Sequence, residues 1–218
     1  MFKKITTATL FALSAIALAD SASLVDTRAP LSSVIELNNY ENFDGITCAV
    51  MVLNHLEWTA VDSSSLGNIS IFTQENIFTD RVKTIISKEL VKKRGIYIEE
   101  LHQIFVAMGL KAKTQYPHIM TESALRELIQ STLHHPAQAM IVQYDASKLI
   151  GQKGVGTAVV MDLDPAGYVT LLSPRHEPNG TLIVSAKDLL KSMQSLDENH
   201  IPRGMIIIEK PLDDADKP

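Results

Sequence analysis

The sequence holds a single cysteine, Cys48, among its 218 residues. A lone cysteine closes no internal disulfide and builds no thiolate cluster for a soft metal. Basic stripes are missing as well: 20 Lys and Arg stand against 25 Asp and Glu, for a formal net charge of −5. A mildly acidic chain without a basic track argues against nucleic acid as a partner. No internal repeat is visible. Past the first residues, no apolar run approaches the roughly 20 residues that a spanning helix needs.

What is present begins with a leader. Lys3 and Lys4 precede an apolar run from Ile5 to Ile16, and Ala17-Leu18-Ala19 places small residues where a signal peptidase reads them. The pattern predicts a signal peptide over residues 1–19 and export to a periplasm or to the cell exterior. A retained anchor or a lipid attachment is the alternative, although no cysteine follows the run to carry a lipid. Loss of the leader and its two lysines takes the net charge from −5 to −7. The remaining length suits one domain. The expected layout is a polar lead-in over 20–37, a domain over 38–210 and a disordered tail over 211–218.

The periodicity changes along the chain. Asp44 stands before the apolar run 48–53 as a favoured helix cap, so a buried helix is expected from there. Residues 59–78 read as irregular. A charged amphipathic helix is expected from Thr79 to Lys93, stopping at Gly95, and a further one from Glu99 to Met108, ended by Gly109. Lys111 to Tyr116 alternates as a strand. Thr121 caps a helix that stops before Pro136. Strands then dominate: 139–144, 157–161, 169–172, 181–184 and 205–208, with a turn at Pro178-Asn179-Gly180 and one helix capped by Ser185 with Asp188 three residues on. Helices first and a largely antiparallel sheet second define an α+β domain.

Several fragments resemble the phytochelatin synthase family in its short prokaryotic form. They are Met51-Val52-Leu53-Asn54, the loop 72–78 (FTQENIF), Gly95 with Glu99-Glu100-Leu101, Gly151-Gln152 with Gly154 and Gly156, and 188–193 followed by Asp197 and Arg203-Gly204. The resemblance covers residues 38 to 209. It implies a papain-like fold and the chemistry of a glutathione γ-glutamylcysteinyltransferase: a cysteine acyl-enzyme releases glycine from glutathione and can pass γ-glutamylcysteine to a second glutathione. It implies no cofactor. The family's eukaryotic members add a cysteine-rich region that responds to heavy metals; a chain with one cysteine offers no such cluster and no metal site of that kind.

Carried over residue by residue, the resemblance places the nucleophile at Asp44, followed by the retained Gly45. The histidine position falls on Thr157 and the aspartate position on Ser173, where the segment is about two residues short. The oxyanion glutamine maps to Asn38, and the asparagine before the glycine loop to Gln143. Arg175 is the nearest candidate for the basic residue that follows the aspartate, and Arg203 is retained. A thiol transferase needs a thiolate at a helix start, an imidazole to move the proton and a third group to orient it. The three positions hold a carboxylate and two hydroxyls instead.

Other assignments stay open. Cys48, one helical turn past Asp44, reads either as a migrated nucleophile or as a buried helix cysteine. His176 reads as a rival base or a loop histidine. His134-His135 sits at a helix end, where favourable terminal charge competes with a metal site that lacks further ligands; His55, His102, His118 and His200 form no ligand spacing. Asp44 is either a cap or a charge that preserves a cleft for a cation, and Arg203 either holds a ligand carboxylate or forms a structural salt bridge. Three functions follow: a silent family member with a glutathione-like peptide or protein in the old cleft, a working enzyme with rearranged residues, and a structural or interaction domain. A homodimer is compatible with each.

Overall fold

A computed structural model of the chain describes residues 40–62, 67–69, 71–175, 180–196 and 203–211. The expected leader over 1–19, the lead-in over 20–37, the turn residues Pro178 and Asn179 and the tail beyond Pro211 lie outside the described residues.

The chain order is α1 (Asp44–His55), β1 (Ala60–Asp62), β2 (Gly67–Ile69), α2 (Asp80–Lys83), α3 (Lys88–Arg94), α4 (Ile98–Ala107), β3 (Lys111–Gln115), α5 (Glu122–Leu133), β4 (Gln138–Asp145), α6 (Ala146–Leu149), β5 (Val155–Leu163), β6 (Tyr168–Leu172), β7 (Thr181–Ser185), α7 (Ala186–Met193) and β8 (Met205–Glu209). Strands β3 to β8 form a six-stranded sheet in the order β3-β8-β4-β5-β6-β7, and every neighbouring pair is antiparallel. The helices fill the first half and the sheet the second, which is the α+β class; the layering is consistent with the papain-like expectation.

Alternation along the strands builds two cores, because successive side chains leave opposite faces. Ile141, Val159, Leu172, Ile206 and Ile208 pack with α1 and α4 on one face. Val142, Ala158, Val160, Leu171 and Met205 pack with Leu125 and Ile129 of α5 and Leu189 and Met193 of α7 on the other. Helix α1 is buried from Asp44 through Leu53. Each large apolar side chain enclosed there contributes about 1.5–3 kcal/mol, so its position against the sheet is strongly held.

Several of the fragments that carry the family resemblance have a packing task. The Asn54 side chain accepts from the Phe72 amide at 2.7 Å and donates to the Phe72 carbonyl at 2.9 Å, which docks the 72–78 loop on the end of α1. Asn76 folds that loop by accepting from the Thr73 amide and donating to the Ile71 carbonyl. Glu100 accepts from the Tyr97 amide at 3.0 Å at the start of α4. Gly204 lies against the Gln115 carbonyl, where a Cβ would come within 2.6 Å of that backbone oxygen.

Three local expectations need correction. The helix expected over 79–93 is two: Thr79 accepts from the Val82 amide to start α2, and Ser87 accepts from the Leu90 amide to start α3, so a second cap interrupts the run. The stretch 59–78 contains the β1–β2 hairpin. Asp44 is not the cap of α1: Phe43 takes that place, and Asp44 is the first helical residue.

Candidate functional site

Helix α1 packs on β5, which begins beside the end of β6, and three polar side chains of this region are unusually buried. Asp44, Thr157 and Ser173 are 3%, 3% and 1% exposed. The Asp44 carboxylate forms an ion pair through Oδ2 with Nε of Arg175, whose side chain keeps about a quarter of its surface, 27%, in contact with solvent. Asp44 also lies in the first turn of α1, where the helix dipole favours a negative charge. One carboxylate thus answers both the dipole and a guanidinium.

Tyr144, at the end of β4, joins these groups. It is 1% exposed, and its register partner on β5 is Gly156. A Cβ at Gly156 would run into the Tyr144 ring and hydroxyl, so the phenol occupies the space that the glycine vacates. Burial pushes the Tyr144 pKa up to about 12, against the Ser173 hydroxyl, which hydrogen-bonds it and pulls the other way; the Cys48 thiol and Asp44 raise it and Arg175 lowers it. Asp44, Cys48, Tyr144, Ser173 and Arg175 are therefore one electrostatic cluster. Thr157 follows Gly156 directly and faces Gln143 across the β4–β5 ladder.

The glycine after Asp44 has a steric role. A Cβ on Gly45 would collide with the Ile96 side chain, which lies on the first turn of α1. Gln143 fixes that neighbour by donating from Nε2 to the Ile96 carbonyl at 3.1 Å. The loop before α4 is thus tied down over the helix start.

Cys48 is wholly buried among the α1 core residues. Burial first, and the Asp44 charge second, hold its thiol well above the ordinary range, the reverse of what an attacking thiolate requires. Arg203 lies beside Asp145 at the end of β4 and is held by other partners. Its Nη1 donates to the Ser195 carbonyl at 3.1 Å, the Ser195 hydroxyl at 2.9 Å and the Leu196 carbonyl at 2.9 Å, and lies 3.7 Å from Asp145 Oδ2. Burial alone would raise the Asp145 pKa, but the Ser147 hydroxyl and Arg203 hold it below the usual carboxylate range. Arg203 so ties the end of α7 to the end of β4. Asn38 and His176 lie outside the described residues. His134 closes on its own helix, with Nδ1 2.7 Å from the Gln130 carbonyl. Among the described residues no group of three His, Cys, Asp or Glu side chains is placed to hold a metal ion.

A family model described as phytochelatin synthase matches residues 14–205. The chain belongs to the phytochelatin synthase family. No curated protein matches it. Of the three positions that the resemblance led us to expect for nucleophile, base and orienter, Asp44 is a carboxylate paired with Arg175, and Thr157 and Ser173 carry buried hydroxyls. Tyr144 is the member of this cluster that motif reasoning passed over. Its signal was the pair Tyr144 and Gly156: an aromatic at the end of one strand and a glycine inside the next.

Proposed function

We propose that this chain is an exported, catalytically silent member of the phytochelatin synthase family that at most binds a glutathione-like γ-glutamyl peptide. The observation that carries the reading is the Asp44–Arg175 ion pair at the start of α1. A carboxylate engaged by a guanidinium is a poor nucleophile towards an amide, and neither Thr157 nor Ser173 exchanges protons near neutral pH. Removing one member of such a triad costs several powers of ten in rate, and here all three differ. A rearranged enzyme that uses Cys48 is disfavoured by the burial of its thiol and by its raised pKa. Export rests on the residue pattern of the first 19 positions.

A second reading, an interaction or structural domain without a small-molecule site, draws support from the near-complete burial of Asp44, Thr157 and Ser173. The intact mass of the chain after incubation with glutathione and a reductant tests the silent-member reading. An unchanged mass is expected. A covalent γ-glutamylcysteinyl adduct that accumulates under reducing conditions would overturn it.

A further inference from the structure

The two edges of the six-stranded sheet differ in chemistry. At one, β3 carries Lys111 and Lys113 among its five residues. At the other, β7 reads Thr181-Leu182-Ile183-Val184-Ser185, without a charge or a proline. Edge strands normally carry such groups to block pairing with another chain. Among the described residues no strand lies beyond β7. Ile183 is 64% exposed and Tyr168 50%; they are diagonal neighbours, since Tyr168 faces Ser185 and Thr170 faces Ile183 across the β6–β7 ladder.

The ladder also fixes where the β7 backbone points. The Ser173 amide donates to the Gly180 carbonyl at 2.6 Å, and the Ala186 amide to the Gly167 carbonyl at 2.8 Å. Bonded pairs recur at every second residue of an antiparallel ladder. Gly180, Leu182, Val184 and Ala186 therefore turn their backbone groups towards β6, and Ile183 turns its N–H and C=O to the outer side.

We propose that β7 pairs antiparallel with β7 of a second copy of this chain, about a two-fold axis at Ile183. The axis lets Ile183 exchange both hydrogen bonds with its counterpart and sets Leu182 opposite Val184. A two-fold contact uses the same patch twice, so the patch must tolerate itself, and a neutral strand does. The same operation on β3 about Lys113 would place lysine directly against lysine, which is destabilising. The charge pattern thus admits self-pairing at one edge and resists it at the other. A five-residue edge with Ile183 and Tyr168 is smaller than the ~1,600 Å² of a standard interface, so the dimer is weak and depends on concentration. The net negative charge of the copies opposes their approach, and salt strengthens the dimer by screening it.

Sedimentation equilibrium of the full chain over a concentration series tests the proposal. The expected result is a monomer–dimer equilibrium that Ile183→Lys weakens at least tenfold and Lys113→Thr leaves unchanged. Hydrogen exchange of the wild type gives a second readout that needs no variant: the Ile183 amide exchanges faster on dilution. A wild type that stays monomeric up to about 1 mM, a dimer that Ile183→Lys does not weaken, or exchange at Ile183 that ignores dilution would each overturn it. So would protection of Ile183 that appears only when an unrelated extended peptide is added.

Discussion

Asp44 is one residue inside its helix, yet its partner lies far along the chain at Arg175. Removing the guanidinium takes an ion-pair partner from a carboxylate whose side chain is 5% exposed. Arg175→Ala should cost about 3 kcal/mol, in the range for breaking a buried pair from one side, and Asp44→Asn combined with it should recover part of that loss; urea unfolding of the two variants measures both. Gly156→Ala would drive a methyl group into the Tyr144 ring. The expected loss is about 1–3 kcal/mol, as for overpacking of a close-packed core, read as a lowered melting temperature that Tyr144→Val partly restores. Cys48 and Tyr144 titrate higher in the folded chain than in an unfolded one. Their stabilising contribution is therefore complete below the unfolded values, near 8.5 for a thiol and 10 for a phenol. It is lost as the pH rises towards the folded values, about 12 for Tyr144. The wild type should lose stability from about pH 9 upward, by at most about 1.4 kcal/mol per pH unit for each group. Cys48→Ala should show a shallower decline between pH 9 and 10 in the same unfolding assay.

At the scale of elements, caps carried most of what could be read in advance. Thr121 and Ser185 accept from the amides of Ala124 and Asp188, where the sequence pattern set them. Ser185→Ala should lower stability by about 1 kcal/mol through loss of the α7 cap, measurable by thermal unfolding, with Ser185→Thr, which keeps a hydroxyl to accept from the Asp188 amide and donate to its carboxylate, close to wild type. The strands were legible because alternation and turn residues mark them independently of their partners. The single helix expected over 79–93 failed because amphipathic periodicity continued through a second capping serine, Ser87, whose local hydrogen bond outweighs the periodic signal. The β1–β2 hairpin pairs two three-residue strands, too short for alternation to register.

At the scale of the molecule, the motifs and the site part company. The fragments that mark the family, Asn54 with Phe72, Glu100 with Tyr97 and Gly204 against Gln115, hold loops and helix starts in place. They preserve a fold, and spacing along the chain sufficed to recognise them. The contents of the site were less legible. Counting along the chain led to Asp44, Thr157 and Ser173, but the closure of Asp44 on Arg175 and the filling of the glycine space by Tyr144 depend on contacts across the sheet that no local pattern records. Arg203 shows the same limit: its neighbours Asp145 and Ser195 come from separate elements, so its structural task was visible only once the chain was folded.

Silence towards glutathione is the central claim, and mass spectrometry of products tests it most directly. The wild type and Cys48→Ala are incubated with glutathione, with and without zinc or cadmium, while glycine, γ-glutamylcysteine and longer γ-glutamyl peptides are followed. The account predicts that neither protein releases glycine above the uncatalysed background in either condition. Glycine release proportional to wild-type concentration and lost in Cys48→Ala would contradict it and make the buried thiol the nucleophile; release retained in Cys48→Ala would contradict it equally and point to chemistry at Asp44.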